Sequence, residues 1–174
     1  MDKTIYLDMD LCVGCGACIV ACMDQNDIYP ERGQPAFRRT YTVEEGRYPD
    51  ASVLHLSTTC MHCEDAPCLI GCPTGAIARD SRTGAVTATK DLCIGCHSCA
   101  LACPFGVPRY DSEGKIHKCN LCAERVEVEL QPACVRVCPT GALEFRSTNE
   151  ALAAKEYKTI SAVASAAHRI TVRM

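Results

Sequence analysis

An α+β fold of short β-hairpins and short helices is what the sequence predicts, and three observations predict it. Sixteen of the 174 residues are cysteine, and they fall into four groups of four. Short strand-like runs separate the groups, and the phrase Pro-Thr-Gly-Ala follows two of them, at Pro73 to Ala76 and Pro139 to Ala142. No Trp, three Phe and six Tyr leave little of the bulky side-chain volume from which a chain of this length builds its core. Something other than side chains has to fill the interior.

In chain order, Thr4 to Cys12, which parallels Val86 to Cys93, precedes the first group, CVGCGACIVAC, with Cys12, Cys15, Cys18 and Cys22. Met23 to Thr59 is the longest insertion. Within it Phe37, Arg39, Tyr41 and Val43 alternate with Arg38, Thr40 and Thr42, and Val53 to Ser57 supplies a partner run, so a β-hairpin with the loop Glu44 to Ser52 is expected. It faces a partner or caps the interior. The second group, CMHCEDAPCLIGCP, holds Cys60, Cys63, Cys68 and Cys72. Ala76 to Arg79 and Ala85 to Thr89 then read as two strands joined through Asp-Ser-Arg-Thr-Gly, with Gly84 free to take positive φ.

The third group, CIGCHSCALACP, holds Cys93, Cys96, Cys99 and Cys103, and Phe105 to Lys118 reads as a hairpin turning at Asp111 to Gly114. The fourth group spreads Cys119, Cys122, Cys134 and Cys138 around a helix expected at Ala123 to Gln131. Ser147 and Glu150 have the Ser-x-x-Glu spacing of a capping box ahead of a helical run, EALAAKEY. A small-residue segment, Ser161 to Ala167, and a strand-like Ile170 to Met174 complete a tail expected to pack on the body or on a partner. The repeating unit is a strand, a cysteine loop, a helical turn and a strand.

Charge and hydropathy exclude several classes. Eighteen Lys and Arg against 21 Asp and Glu give −3, so no basic footprint for nucleic acid is present. The longest apolar stretches, such as Ile160 to Ala167, fall well short of the roughly 18 residues of a membrane span. The opening MDKTIYLDMD lacks both a basic n-region and an apolar h-region, so no secretory signal is expected. Support for an oxidising compartment, and for a disulfide framework, goes with it.

The spacings point to metal chemistry. Groups one and three read C-x2-C-x2-C-x3-C, and all four keep the final gap of three residues. Groups two to four end in Cys-Pro, and group one ends in Cys22-Met23. Three closely spaced thiolates let one loop curl round a cubane of iron and sulfide, while the fourth points away to a neighbouring cluster. Sixteen cysteines used this way satisfy four 4Fe-4S clusters with none left over. Structural zinc favours two Cys-x-x-Cys pairs separated by roughly twelve to twenty residues, and the triplets do not fit it. Gly75 and Gly141 are expected to let backbone N–H groups approach cluster sulfide, and Gly14, Gly16 and Gly95 to avoid a Cβ against the inorganic core. The five histidines, His62 and His97 among them, read as structural or potential-tuning residues, not ligands. Four clusters of net charge about −2 would take the chain from −3 to roughly −11. Arg38, Arg39, Arg109, Lys115, Lys118 and Arg136 are the cations that could raise potentials or dock a partner.

CMHCEDAPCLIGCPTGAI, CIGCHSCALACPFGVPRY and the widened fourth group resemble the iron-sulfur subunits of the dimethyl-sulfoxide-reductase family of molybdenum or tungsten enzymes, over about Ile5 to Phe145. The chain is similar also to the polyferredoxin subunits of formate dehydrogenase, hydrogenase-linked and tungsten aldehyde oxidoreductase complexes. The resemblance implies two ferredoxin-like halves related by a pseudo-twofold. One half is 1–22 plus 104–146 and the other 60–103, with 23–59 an inserted hairpin and 147–174 a C-terminal tail. It implies that Cys12, Cys15, Cys18 and Cys138 hold one cluster and that Cys22, Cys119, Cys122 and Cys134 hold the second. Cys60, Cys63, Cys68 and Cys103 hold the third, and Cys72, Cys93, Cys96 and Cys99 the fourth. Nitrate-reductase relatives resemble this pattern but put Trp at the second cysteine of group three and hold a three-iron cluster there. Cys96 is present here, so four complete cubanes are expected.

The implied function is that of a non-catalytic subunit conducting electrons between a large Mo- or W-pterin catalytic subunit and a second redox partner, whether a flavin, membrane or ferredoxin-type subunit. The rivals are a free soluble polyferredoxin shuttling between enzymes, a hydrogenase-linked subunit, and a chain made catalytic by a site-differentiated cluster. No Rossmann glycine fingerprint or P-loop appears. A cytoplasmic location is expected, with export on a signal-bearing partner as the alternative.

Overall fold

A computed structural model describes residues 3–171. Its strands are β1 (Lys3–Leu7), β2 (Arg39–Glu45), β3 (Ser52–Thr58), β4 (Ile77–Arg79), β5 (Val86–Ala88), β6 (Arg109–Tyr110), β7 (Ile116–His117) and β8 (Leu143–Ser147). Its helices are α1 (Ala17–Gln25), α2 (Pro67–Ile70), α3 (Ser98–Ala102), α4 (Ala123–Glu127), α5 (Ala133–Arg136) and α6 (Thr148–Thr171). The strands pair antiparallel in four two-stranded ribbons, β1 with β8, β2 with β3, β4 with β5 and β6 with β7. A lone two-stranded ribbon is marginal in water. These ribbons therefore depend on what they pack against.

The expected hairpins form where the alternation placed them, with Arg39 opposite Thr58, Ile77 opposite Ala88 and Arg109 opposite His117. Gly84 has φ 72°, and its amide closes the turn onto Asp80 O. The β1 and β8 strands lie at opposite ends of the chain and pair with Ile5 opposite Phe145. The short helices carry the third cysteine of each group: Cys18 on α1, Cys68 on α2, Cys99 on α3 and Cys134 on α5. Left-handed residues launch two of them, Gly16 before α1 and His97 before α3. Proline starts the others, Pro67 as first residue of α2 and Pro132 as cap of α5, where a missing N–H costs nothing.

Helix α1 packs on α5, and α2 on α3. Each pairing is lined by cysteine. One buried cluster joins Cys68, Cys93 and Cys99 to Ile77, Val86 and Ile116, and a second joins Cys18 and Cys134 to Val135 and Leu143. With so few large side chains inside, apolar residues on the outer helix faces stay out: Val20, Ile70 and Leu101 are 67, 77 and 88% exposed.

Two expected elements differ. The helix at Ala123 to Gln131 ends at Glu127, because Glu129 takes φ 61° and the Val128 and Leu130 amides both turn back onto Arg125 O. That reversal returns the chain to Pro132 and α5. The strand expected from Ile170 is helix as far as Thr171, and residues 172–174 lie outside the described residues. A strand needs a neighbour for its backbone groups, whereas a helix satisfies its own.

The capping box closes as its spacing required: Glu150 N–H donates to Ser147 Oγ at 3.3 Å and Ser147 N–H to the Glu150 carboxylate at 2.9 Å. Those bonds hold the Glu150 carboxyl below its ordinary pKa. Replacing Ser147 by Ala removes one side of the box at a cost of about 1 kcal/mol, so hydrogen-exchange protection in the first turns of α6 is expected to fall by roughly fivefold.

Candidate metal centres

The cysteines gather into tetrads that each draw on two groups. Cys60, Cys63 and Cys68 of the second group and Cys103 of the third line one hollow, of about 380 Å³. Cys12, Cys15 and Cys18 line another with Cys138, of about 330 Å³. Cys93, Cys96 and Cys99 line a third with Cys72, of about 290 Å³. The remaining four, Cys22, Cys119, Cys122 and Cys134, are all buried and lie within electrostatic reach of one another. Among the described residues no three His, Cys, Asp or Glu converge closely enough to hold a single metal ion. The thiols surround spaces, not points.

Burial sets the thiol chemistry. It pushes Cys60 and Cys134 up to about 11 and raises Cys22 further, where Cys119, Cys134 and Cys122 add to it. These thiols are protonated at neutral pH in the bare protein, so metal has to displace their protons on assembly. Cys72 and Cys138 behave differently. Burial raises each, but backbone N–H groups of Ile77, Thr74 and Ala76, and of Leu143, Thr140 and Ala142, outweigh it and bring both below the ordinary thiol value. The Thr74 and Thr140 hydroxyls lie 3.8 Å from the two sulfurs. Each Pro-Thr-Gly-Ala phrase is thus a cradle of donors around its own cysteine.

The expected roles of the glycines change accordingly. Gly75 and Gly141 amides bond to Cys72 O and Cys138 O, so they close the turn, and their neighbours supply the donors to sulfur. At Gly95 (φ 69°) a Cβ would lie 2.7 Å from Gly114 O, and at Gly14 (φ 66°) 2.6 Å from the His55 ring. Protein atoms by themselves exclude a side chain at these two positions.

His62 and Leu121 occupy the corresponding places in groups two and four, and both take positive φ without being glycine, at 45° and 60°. The conformation aims an amide back at the loop's first sulfur: His62 N–H to Cys60 at 3.5 Å, Gly95 N–H to Cys93 at 3.4 Å and Leu121 N–H to Cys119 at 3.3 Å. This strain is of the kind kept where function requires a geometry.

Side chains from outside the thiol tetrads reach into and between them: His62, Lys115 and Lys118, which the sequence had marked as tuning residues or cations, and Tyr110, which it had not. His62 Nδ1 accepts the Val86 N–H at 3.0 Å, which leaves the proton on Nε2, 3.5 Å from Cys119 Sγ. Burial, with Lys118 and Arg79 beside it, pushes His62 down to about 3. Lys118 is buried, lines the Cys60 hollow, and donates to Val86 O and Cys119 O. The Tyr110 hydroxyl lies 3.0 Å from Cys99 Sγ while its ring stacks on His97 at 3.8 Å. Lys115 donates to Cys93 O. Of the six cations expected to raise potentials or dock a partner, Arg38 and Lys118 are the buried ones.

Four tetrads of thiols, three of them around apolar-walled hollows, with N–H and O–H donors directed at sulfur, fit 4Fe-4S groups, which are held by four thiolates and tuned by such donors. Assembled protein is expected to yield about sixteen irons and as many labile sulfides per chain. Chelating that iron removes what the ribbons pack against, so far-UV circular dichroism should fall toward an unfolded spectrum.

Residues 51–148 match one 4Fe-4S dicluster domain family and residues 11–77 a second family of the same description. The chain is similar to a sulfite dehydrogenase subunit of Allochromatium vinosum, 35% identical over 165 residues that cover 84% of this chain and 69% of that one. It is 39% identical over 168 residues to the probable anaerobic dimethyl sulfoxide reductase chain YnfG of Escherichia coli, covering 91% and 79%. It is 38% identical over 166 residues to the iron-sulfur subunit of the nitrate-inducible formate dehydrogenase of Escherichia coli, covering 87% and 56%. The chain therefore belongs to the family of four-cluster iron-sulfur subunits that includes these dimethyl sulfoxide reductase and formate dehydrogenase chains, and it carries four 4Fe-4S clusters.

Proposed function

We propose that this chain is the electron-transfer subunit of an oxidoreductase complex whose catalytic site lies on a large Mo- or W-pterin partner, with a second redox partner at its other end. The ligand sets are Cys12, Cys15, Cys18 and Cys138 (set one); Cys22, Cys119, Cys122 and Cys134 (set two); Cys60, Cys63, Cys68 and Cys103 (set three); and Cys72, Cys93, Cys96 and Cys99 (set four). The observation that carries this reading is that three separate hollows are each lined by four thiols, three from one group and one from another. When bound, each 4Fe-4S group supplies a one-electron redox centre.

The protein strings these sets in a line. Sets one and two share α1, through Cys18 and Cys22, and the α5 segment, through Cys134 and Cys138. Sets three and four share α2 and α3 in the same way. Sets two and three meet where His62, from the loop of set three, reaches Cys119 of set two. Only the terminal sets have an exposed cysteine, Cys15 in set one and Cys96 in set four. Beside them Val13 and Ile94 are 56 and 65% exposed, an apolar contact for a partner at each end.

This sharing supports two ferredoxin-like halves, 1–22 with 104–146 and 60–103, related by a pseudo-twofold, with 23–59 as the inserted hairpin and 147–174 as the tail. No helix among the described residues is long and apolar enough to cross a membrane. A location in the cytoplasm, or export on a partner that carries a signal, follows from where the catalytic chain resides. A stable stoichiometric complex with a pterin-bearing chain is the expected result of native purification, and an isolated holo-protein that reduces several enzymes would favour a shuttle instead. Cys15→Ser and Cys96→Ser should each slow electron flow through the complex by more than tenfold while altering different EPR signals. One signal altered by both would overturn the ligand sets.

A further inference from the structure

We propose that Arg38 is a positioning residue shared by sets one and two, its guanidinium holding both at raised reduction potential. The inference rests on the ligand sets above and goes beyond them. Arg38 is 2% exposed, and the buried polar and charged residues around the core include no Asp or Glu. A buried guanidinium without a carboxylate is unfavourable unless another negative charge faces it. Its Nη1 donates to Ser57 Oγ at 2.9 Å. Ser57, having accepted that hydrogen bond, is free to direct its own O–H toward Cys18 Sγ at 3.4 Å, in set one. The other nitrogens, Nε and Nη2, are buried and make no hydrogen bond of ordinary geometry. Cys134 of set two packs in the same buried cluster as Cys18, and the guanidinium faces it through its charge and a side-chain contact too loose for a full hydrogen bond, while its charge also reaches Cys22 of that set.

A charge and two unspent donors thus stand between two sulfur sets. Thiolate-bound cubanes carry about −2 each when oxidised and one charge more when reduced, so they supply the missing counter-charge. A fixed cation favours the reduced form, and the planar fork of arginine serves two directions where an ammonium serves as a point. In sets three and four Lys118 is the cation acting on Cys60 and Cys68 and Tyr110 the donor beside Cys99, so they act as internal controls.

Potentiometric EPR on the holo-protein in its complex tests this. Arg38→Gln is expected to lower two of the four midpoint potentials, each by at least tenfold in the reduction equilibrium, which is about 59 mV for a one-electron couple. Signals of sets one and two are identified through Cys15→Ser and Cys122→Ser. Arg38→Lys, keeping the charge, should shift them less, and Ser57→Ala should lower set one alone. With iron at the parental level, four unchanged potentials, or four that shift alike, would overturn the inference. If Arg38→Gln loses its iron, Ser57→Ala decides: a fall confined to set one supports the role of Arg38, and no fall overturns it. Cys15→Ser and Cys122→Ser acting on one signal would instead overturn the ligand sets, a separate failure.

Discussion

Each thiol tetrad takes three cysteines from one loop and the fourth from a segment far away in the chain, and this closure is the constraint from which the other features follow. It brings α1 against α5 and α2 against α3, and the ribbons β1–β8 and β4–β5 form where those helices bring their flanks together. None of these elements has the length to stand alone: α2 and α5 have four residues each, and β6 and β7 have two. A helix of one turn has not repaid its nucleation, and a single ribbon has no face to bury. Sulfur bonded to iron replaces what longer elements and larger side chains would contribute. Folding and assembly are one event on this account.

An interior that holds negative charge reverses the usual polarity of a strand. Along β2 and its approach the alternation sets Phe37, Tyr41 and Val43 against Arg38, Thr40 and Thr42, and hydrophobicity alone would turn the first set inward. Tyr41 and Val43 are instead 44 and 45% exposed, while Arg38 is buried and Thr40, with Ser57 from β3, lines the hollow of Cys12. Donors and cations face sulfur because that is where their hydrogen bonds and charge are used. The same logic places His62, Lys118 and Tyr110. The inserted hairpin is thereby more than a cover for the first two sets, since it delivers the guanidinium that lies between them.

In the proposed line of sets the donors are graded. The two terminal sets each have one exposed cysteine, while set two is buried on all four and receives an imidazole N–H and the Leu121 amide on the same sulfur. Exposure, hydrogen bonds to sulfur and nearby charge are the levers that set cluster potential. Their uneven distribution makes the inner sets electrically distinct from the ends, in a chain whose four sets are otherwise repeats of one motif.

Cysteine spacing determined the cofactor, and local chemistry determined most elements. The C-x2-C-x2-C-x3-C runs encode a loop and a turn by themselves, Gly84 and Asp80 suffice for the β4–β5 turn, and Ser147 with Glu150 suffices to start α6. Turn geometry and capping act over a few residues, so they are legible in a single sequence. Helix α4 stops early for a reason that is equally local but carries no signal, because Glu129 adopts a left-handed conformation that its residue type does not announce. What only the tertiary structure decided is which side chains outside the cysteines touch them: that Ser57 passes the reach of Arg38 to Cys18, and that His62 of one loop meets Cys119 of another. Arg38 and Arg39 are adjacent and chemically identical in the sequence. Burial and the electrostatics of sulfur distinguish them, and those are properties of the folded interior.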